Sequence, residues 1–248
     1  MNTYESVLIE YLRQLKEVLE KYNVDFWLDC GTLLGAVRED KFLSWEKDID
    51  LGAWADNITD IVKVKICKEL SKKGFTVFMP QGYINYISIK KGKGESVILL
   101  DINIYSINKD EALQKRLLPK NVIGKYLIIF LKIVLIPEYY EINFKSKITT
   151  SIRSILGIVS SILPSYSREK IGGFIEKIYK GFVCEDQSWV VPSKYFTNLL
   201  TRNFYGMDFK VPAFTEEYLI YRYGENWRIP KKEWITARDD GSVIRSSD

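Results

Sequence analysis

Apolar side chains at Tyr4, Val7, Leu8, Tyr11, Leu12, Leu15, Val18, Leu19 and Tyr22 recur at three- and four-residue intervals. That stripe predicts one amphipathic helix at the start of the chain, with Asn2 and Glu5 spaced as a capping box. Val24–Leu28 reads as a short strand, and Gly31-Thr32 as a tight turn into a brief helical run, Leu33–Val37. A second strand is expected from Asp48 to Trp54. Asn57–Lys73 then predicts a helix capped by Asp56 or Asn57 and stopped by Gly74. Phe75–Met79, Tyr83–Lys90 and Val97–Tyr105 read as further strands, the last two joined by a Lys-Gly-Lys-Gly turn. This alternation predicts an α+β fold, a small mixed sheet covered by helices.

The pattern changes after about residue 108. Val122–Ile136 and Ile148–Leu163 are hydrophobic segments punctuated by lysine, and a basic helix is expected over Arg168–Tyr179. From Ser188 the chain is aromatic-rich and reads as irregular, spaced by Pro192, Pro212 and Pro230. Three parts follow: a core over 1–108, a mostly helical hydrophobic and basic insertion over 109–187, and a C-terminal part, 188–248, that completes the fold.

Composition narrows the chemistry. The 248 residues include no histidine, which removes Ser-His-Asp and Cys-His catalysis and imidazole metal ligands. Proton transfer then falls to carboxylates, Lys, Tyr or metal-bound groups. Cys30, Cys67 and Cys184 are too scattered for a disulfide framework or a CxxC knuckle, and the chain opens on polar residues unlike a secretory leader. A cytoplasmic protein is the expectation. The net charge of +4 is mild, and no groove-like interleaving of bases and aromatics suggests nucleic acid.

The carboxylates carry the strongest signal. On a strand, Asp48 and Asp50 project from one face while Ile49 and Leu51 enter the core. Two carboxylates about 7 Å apart on one face repel unless a cation lies between them, and hard Mg²⁺ suits such oxygen ligands. On Val97–Tyr105, Ile98, Leu100, Ile102 and Ile104 form one apolar face, with Asp101 and Asn103 on the other. An Asp in so apolar a strand needs a hydrogen bond, an ion pair or a metal. A bare D-x-D is more often a solvated face, so the residues upstream decide the matter.

Residues 28–52 read LDCGTLLGAVREDKFLSWEKDIDLG. This resembles the signature of the LicD/fukutin family, in which GTLLGAVR precedes a hydrophobic-Pro-Trp-Asp-x-Asp-x-Asp stretch. Tyr221-Arg222-Tyr223-Gly224 with Pro230 is similar to the family's C-terminal ending. Ser44 stands where Pro is common, and Glu46 stands in place of the first Asp, with a longer reach. The resemblance implies a nucleotidyltransferase-like fold and a metal site of Asp48, Asp50 and Asp101 with Glu46. It further implies Mg²⁺, or Mn²⁺, as cofactor. The implied activity is transfer of a phospho-substituent, such as phosphocholine or a polyol phosphate, from a CDP-activated donor to a glycan or lipid-linked glycan. Gly31, Thr32, Arg38 and Lys41 are the expected donor-binding residues, and Asp101 the expected base. Asn23, Asp25 and Asp29 are weaker candidates, with Asp29 better read as a helix cap; Trp27, Trp45 and Trp54 are read mainly as core. Two alternatives remain open: a nucleotidyltransferase that moves NMP to a protein or small molecule, and a non-catalytic module of the same fold.

Val122–Ile136 would reach only about 22 Å as a helix, short of the ~30 Å hydrocarbon core of a bilayer. It is read as buried, with peripheral contact at the inner membrane face as the other reading. In that reading Lys145, Lys147, Arg153, Arg168 and Lys170 meet anionic headgroups.

Overall fold

The first stripe of apolar residues does form a helix, α1 (Thr3–Lys21), which buries Leu8, Leu12, Leu15, Val18 and Leu19. It ends where Asn23 turns left-handed (φ 53°) and the Val24 amide reaches back to the Leu19 carbonyl at 3.0 Å. Asn23 is therefore a helix terminator. The computed structural model describes residues 3–46, 48–78, 86–92, 97–135, 159, 162–231 and 233–245.

After α1 come β1 (Phe26–Leu28), α2 (Cys30–Arg38), β2 (Asp48–Trp54), α3 (Asp60–Lys72), β3 (Thr76–Phe78), β4 (Tyr86–Lys91), β5 (Ile98–Asn108) and β6 (Glu111–Pro119). Helices α4 (Val122–Leu135) and α5 (Ser165–Tyr179) follow. The chain closes with β7 (Val183–Pro192), α6 (Lys194–Thr197), β8 (Leu199–Phe204), β9 (Met207–Pro212), α7 (Thr215–Tyr223), α8 (Thr236–Asp239) and β10 (Val243–Arg245). The described strands run in the order β10-β7-β6-β5-β2-β1-β9-β8, with β4 also paired to β5 and β3 to β4. Pairing is mixed: β2 is parallel to β5 and β1 to β9, while β1–β2, β4–β5 and β8–β9 are antiparallel. The fold is α+β, a mixed sheet flanked by helices.

The chain divides into two compact units, one made of residues 1–79, 85–115 and 187–248, the other of 80–84 and 116–186. The first unit holds the main core. Its centre is Trp27, fully buried and stacked on Phe196 at 4.7 Å and Tyr105 at 6.0 Å, with Trp54 at 5.5 Å. Trp27 pairs in register with Gly52 and lies over its Cα, a close approach that only a residue without Cβ permits. Trp27 thus belongs to the core and Trp54 packs against it. In the second unit α4 and α5 pack together through Val134 and Ile175, with Leu127 and Phe130 alongside. No described helix is long and apolar enough to cross a membrane.

Several expectations need correction. Gly31 and Thr32 do not form a turn before a helix; they lie within α2, because Asp29 caps it one residue earlier. Helix α3 is capped by Thr59, whose hydroxyl accepts from the Val62 amide at 3.4 Å, while Ala55–Asn57 make a separate 3₁₀ turn that lets Ile58 bury. Strand β5 continues past Tyr105 into a hairpin with β6. The C-terminal part is regular rather than irregular: β8 and β9 form a hairpin about Tyr205-Gly206, both at positive φ as a type I′ turn requires. Pro192 and Pro212 close strands there instead of interrupting them. The segment Ile148–Leu163, the proposed cap at Asn2, and Lys145, Lys147 and Arg153 lie largely or wholly outside the described residues.

Gly52→Ala should force a methyl group into the immobile Trp27 indole and cost about 1–3 kcal/mol of stability, read from denaturant melts. Gly206→Ala tests positive φ without any such contact and should cost about 1 kcal/mol.

Candidate active site

The parallel pairing of β2 with β5 sets Asp50 directly opposite Asp101, and Asp48 opposite Leu99. Ile49, Leu51, Leu100 and Ile102 point into the core and are wholly buried. By strand alternation, Asp48, Asp50 and Asp101 therefore share the opposite face. Neighbouring strands lie about 5 Å apart, so the Asp50–Asp101 pair is close. Ser88, the partner of Asp101 on β4, acts to lower its proton affinity, and the Asp101 oxygen Oδ1 is buried with no hydrogen-bond partner among the described residues.

A fourth carboxylate joins from the loop after α2. Tyr205 pins this loop: its hydroxyl accepts from the Phe42 amide at 2.9 Å and hydrogen-bonds Glu5, while its ring stacks on Phe42. The Lys41 carbonyl closes onto Gly35, where a Cβ would collide with it. Glu46 then folds back so that its carboxylate covers Gly31, in the space a Cβ would take. Only a glycine at position 31 admits the Glu46 carboxylate there.

The electrostatics follow from this crowding. Burial, then the charge of Asp48, pushes Glu46 up to about 7. Burial raises Asp101 to about 6, with Asp48 adding to it. Asp48 is also raised by burial, and Asp50 well above the carboxylate range by burial and then by Asp48 and Asp101. Among the described residues no three acidic side chains already converge on a single point, as expected of like charges with nothing positive between them. A set of hard oxygen donors, one of them orphaned in Asp101, fits a divalent cation of the Mg²⁺ type.

Farther along the same face, where Asn103 and Tyr105 follow Asp101 at alternate positions of β5, lies a buried polar network. The Asp29 carboxylate is wholly buried. It accepts from the Cys30 amide at 2.8 Å, the Tyr105 hydroxyl at 2.8 Å, the Tyr218 hydroxyl at 2.5 Å and the Asn103 amide group at 3.3 Å. Arg222 on α7 completes the shell, 3.4 Å from Asp29 and bonded to Asp240 at 2.6 and 3.1 Å. Its Nη1 also donates to the Cys30 sulfur at 2.8 Å, and burial raises that thiol well above its ordinary value. Asp240 in turn accepts from the Ser242 amide and hydroxyl. The Asp29 amide donates to the Asp50 carbonyl at 3.2 Å, which ties the network to the acidic strand.

Each expected site residue now has a place. Asp48, Asp50, Asp101 and Glu46 lie together. Thr32 is wholly buried, and its hydroxyl accepts from the Asp50 amide at 2.8 Å, so it holds β2 in place. The Arg38 side chain is nearly buried: it donates to the Trp227 carbonyl at 3.1 Å, pairs with Glu39 at 2.9 Å, and lies 5.5 Å from the Trp45 ring. Its field acts on Glu46, yet its Nε has no partner among the described residues. Lys41 is exposed, as is Asp25. Asp29 is indeed the α2 cap, but it is also the hub of the buried network. Tyr105, Tyr218, Arg222 and Asp240 were not anticipated. An arginine within the aromatic run Tyr218-Leu-Ile-Tyr-Arg-Tyr223 was the available signal, since such a helix face has no exposed use for a guanidinium.

Two outcomes test this description. In the absence of divalent cations, Glu46 and Asp101 hold protons in the folded state that the unfolded chain has already released. Their contribution to stability is therefore full below about pH 4 and is lost as pH rises through about 6 to 7. Melts in chelator should show stability falling by about 2–3 kcal/mol per group across that window, and Asp101→Asn should flatten the fall. Arg222→Met leaves Asp29 and Asp240 buried without their cation and should cost about 3–5 kcal/mol, whereas Tyr218→Phe should cost about 1–3.

Residues 23–116 match the family model described as the LicD/FKTN/FKRP nucleotidyltransferase domain. The chain is 24% identical to the lipopolysaccharide cholinephosphotransferase LicD of Haemophilus influenzae, over 92% of this chain and 91% of that protein. It is 39% identical to the ribitol 5-phosphate transferase FKRP of Homo sapiens over 51 residues, 21% of this chain and 10% of the relative. Among solved structures it is similar to ANT(2")-Ia in complex with adenylyl-2"-tobramycin, at a TM-score of 0.32 and 12% identity, over 70% of this chain and 99% of that one. The matched region runs from β1 into β6 and contains Gly31, Glu46, Asp48, Asp50 and Asp101, so the residues that form the acidic face all lie in the part of the chain that matches the LicD/FKTN/FKRP nucleotidyltransferase domain.

Proposed function

We propose that this protein is a Mg²⁺-dependent transferase that moves a phospho-substituent from a CDP-activated donor to a hydroxyl of a glycan. The observation that carries the reading is the register of β2 on β5, which gathers Asp48, Asp50 and Asp101 on one face with an orphaned carboxylate oxygen. The relatives named as a cholinephosphotransferase and a ribitol 5-phosphate transferase support the class of cargo.

In this reading Asp48, Asp50 and Asp101, with Glu46, hold the cation. Mg²⁺ would there neutralise the diphosphate and the charge that develops during displacement. The acceptor oxygen forms a bond to the distal phosphorus of the donor. The bond from that phosphorus to the bridging oxygen breaks, and CMP departs with the electron pair. The acceptor proton passes to a carboxylate. Asp101 is assigned this role because β5 sets it directly opposite Asp50 on the acidic face. Glu46 covers Gly31, so a phosphate that approaches Gly31 displaces the Glu46 side chain first.

Incubation with CDP-choline, CDP-ribitol or CDP-glycerol, a glycan acceptor and Mg²⁺ should release CMP, and chelator should abolish it. Asp50→Asn should lower the rate by roughly 10²–10³-fold. A donor at a hundred times its Kd should stabilise the protein by about 2.7 kcal/mol, in a Mg²⁺-dependent manner. Release of pyrophosphate from ATP, UTP or CTP would establish nucleotidyl transfer instead. No product and no cation-dependent stabilisation would leave the acidic face a structural one.

A further inference from the structure

Helix α5 turns its packing side, Gly172 and Ile175, inward. On the adjoining side Ile171, Phe174 and Ile178 follow the i, i+3, i+7 spacing of one stripe, and all three are exposed, Phe174 by 65%. Lys170 and Lys177, both exposed, flank the stripe on α5. The first turn of α4 repeats the pattern, with Val122, Ile123 and Tyr126 exposed beside exposed Lys120 and Lys125. Contiguous apolar side chains of this size at a surface mark a contact with something.

Charge identifies the partner. Residues 116–186 carry 11 of the 36 basic residues and 6 of the 32 acidic ones, a balance of +5. The rest of the chain carries 25 against 26, a balance of −1. The whole positive excess of the protein thus resides in the unit that bears the exposed apolar stripes. A second copy of this chain would bring +5 against +5. A surface of fixed negative charge with an apolar layer beneath it matches both features, and that is an anionic lipid bilayer. At 14 and 15 residues, α4 and α5 reach about 21–23 Å, too short to cross such a bilayer and suited to lying in its interface.

We infer that unit 116–186 is a peripheral membrane-binding module that places the α5 stripe among the headgroups of an anionic bilayer. The inference stands apart from the proposed transfer reaction, because vesicle binding is read without donor, acceptor or metal.

The full chain should co-sediment with phosphatidylcholine vesicles that contain phosphatidylglycerol, not with phosphatidylcholine alone, and added salt should weaken the binding. Lys170→Gln with Lys177→Gln should weaken it by about thirtyfold. Ile171→Ser, Phe174→Ser and Ile178→Ser together should abolish it while circular dichroism and the melting profile stay as in the wild type. Absence of vesicle binding would overturn the inference, as would equal binding to neutral vesicles or binding unchanged in both variants. A wild-type dimer that the serine variant dissociates, with no vesicle binding, would assign the stripe to a second copy and overturn it too.

Discussion

One carboxylate, that of Asp29, joins the parts of the chain that build the acidic face. Its main-chain amide fixes β2 at Asp50, its side chain starts α2, and it takes hydrogen bonds from β5 and α7. A charge with no solvent contact is stable only when its partners are numerous and close. Here the partners come from residues 30, 103, 105, 218 and 222, so the charge is satisfied only when the N-terminal half and the C-terminal helix are both in place. That requirement makes α7 part of the unit that supports the acidic face although it contributes no residue to that face.

Two pressures act in opposite directions across β2. On the core side, Ile49 and Leu51 are wholly buried and hold the strand in place. On the other side, burial raises the proton affinity of four carboxylates, and the charge of Asp48 adds to it at Glu46, Asp50 and Asp101. The packing keeps the repelling groups together, and the repulsion is the free energy that a cation can recover on binding. Thr32 and Asp29, each bonded to the main chain of Asp50, stop β2 from shifting to relieve it.

Much of this was legible in the residues. The alternation of Asp48-Ile-Asp50-Leu and of Ile98-Leu-Leu-Asp101 states which face each side chain takes, because a strand's period of two leaves no freedom. The helix of α1 was equally plain, since its stripe persists for five turns. What alternation cannot state is which strands are neighbours, so the opposition of Asp50 to Asp101 came only with the topology. Glu46 was visible as a departure in the motif, but its position over Gly31 depends on a loop held by Tyr205, some 160 residues away. The β8–β9 hairpin was missed because its turn is Tyr-Gly, without the Asn or Asp that usually marks a type I′ turn.

Arg222 keeps its charge at any accessible pH, so Asp29 and Asp240 sit beside a permanent cation. Among the described residues the acidic face has no such partner: Arg38 reaches Glu46 only as a field, while its guanidinium is bonded to Glu39 and Trp227. The molecule thus separates two kinds of carboxylate that a single main-chain hydrogen bond, Asp29 to Asp50, ties together. Asp29 is neutralised from within and serves the fold. Asp48, Asp50 and Asp101 pair with no cation among the described residues, and a group that the fold does not compensate is one that a ligand can.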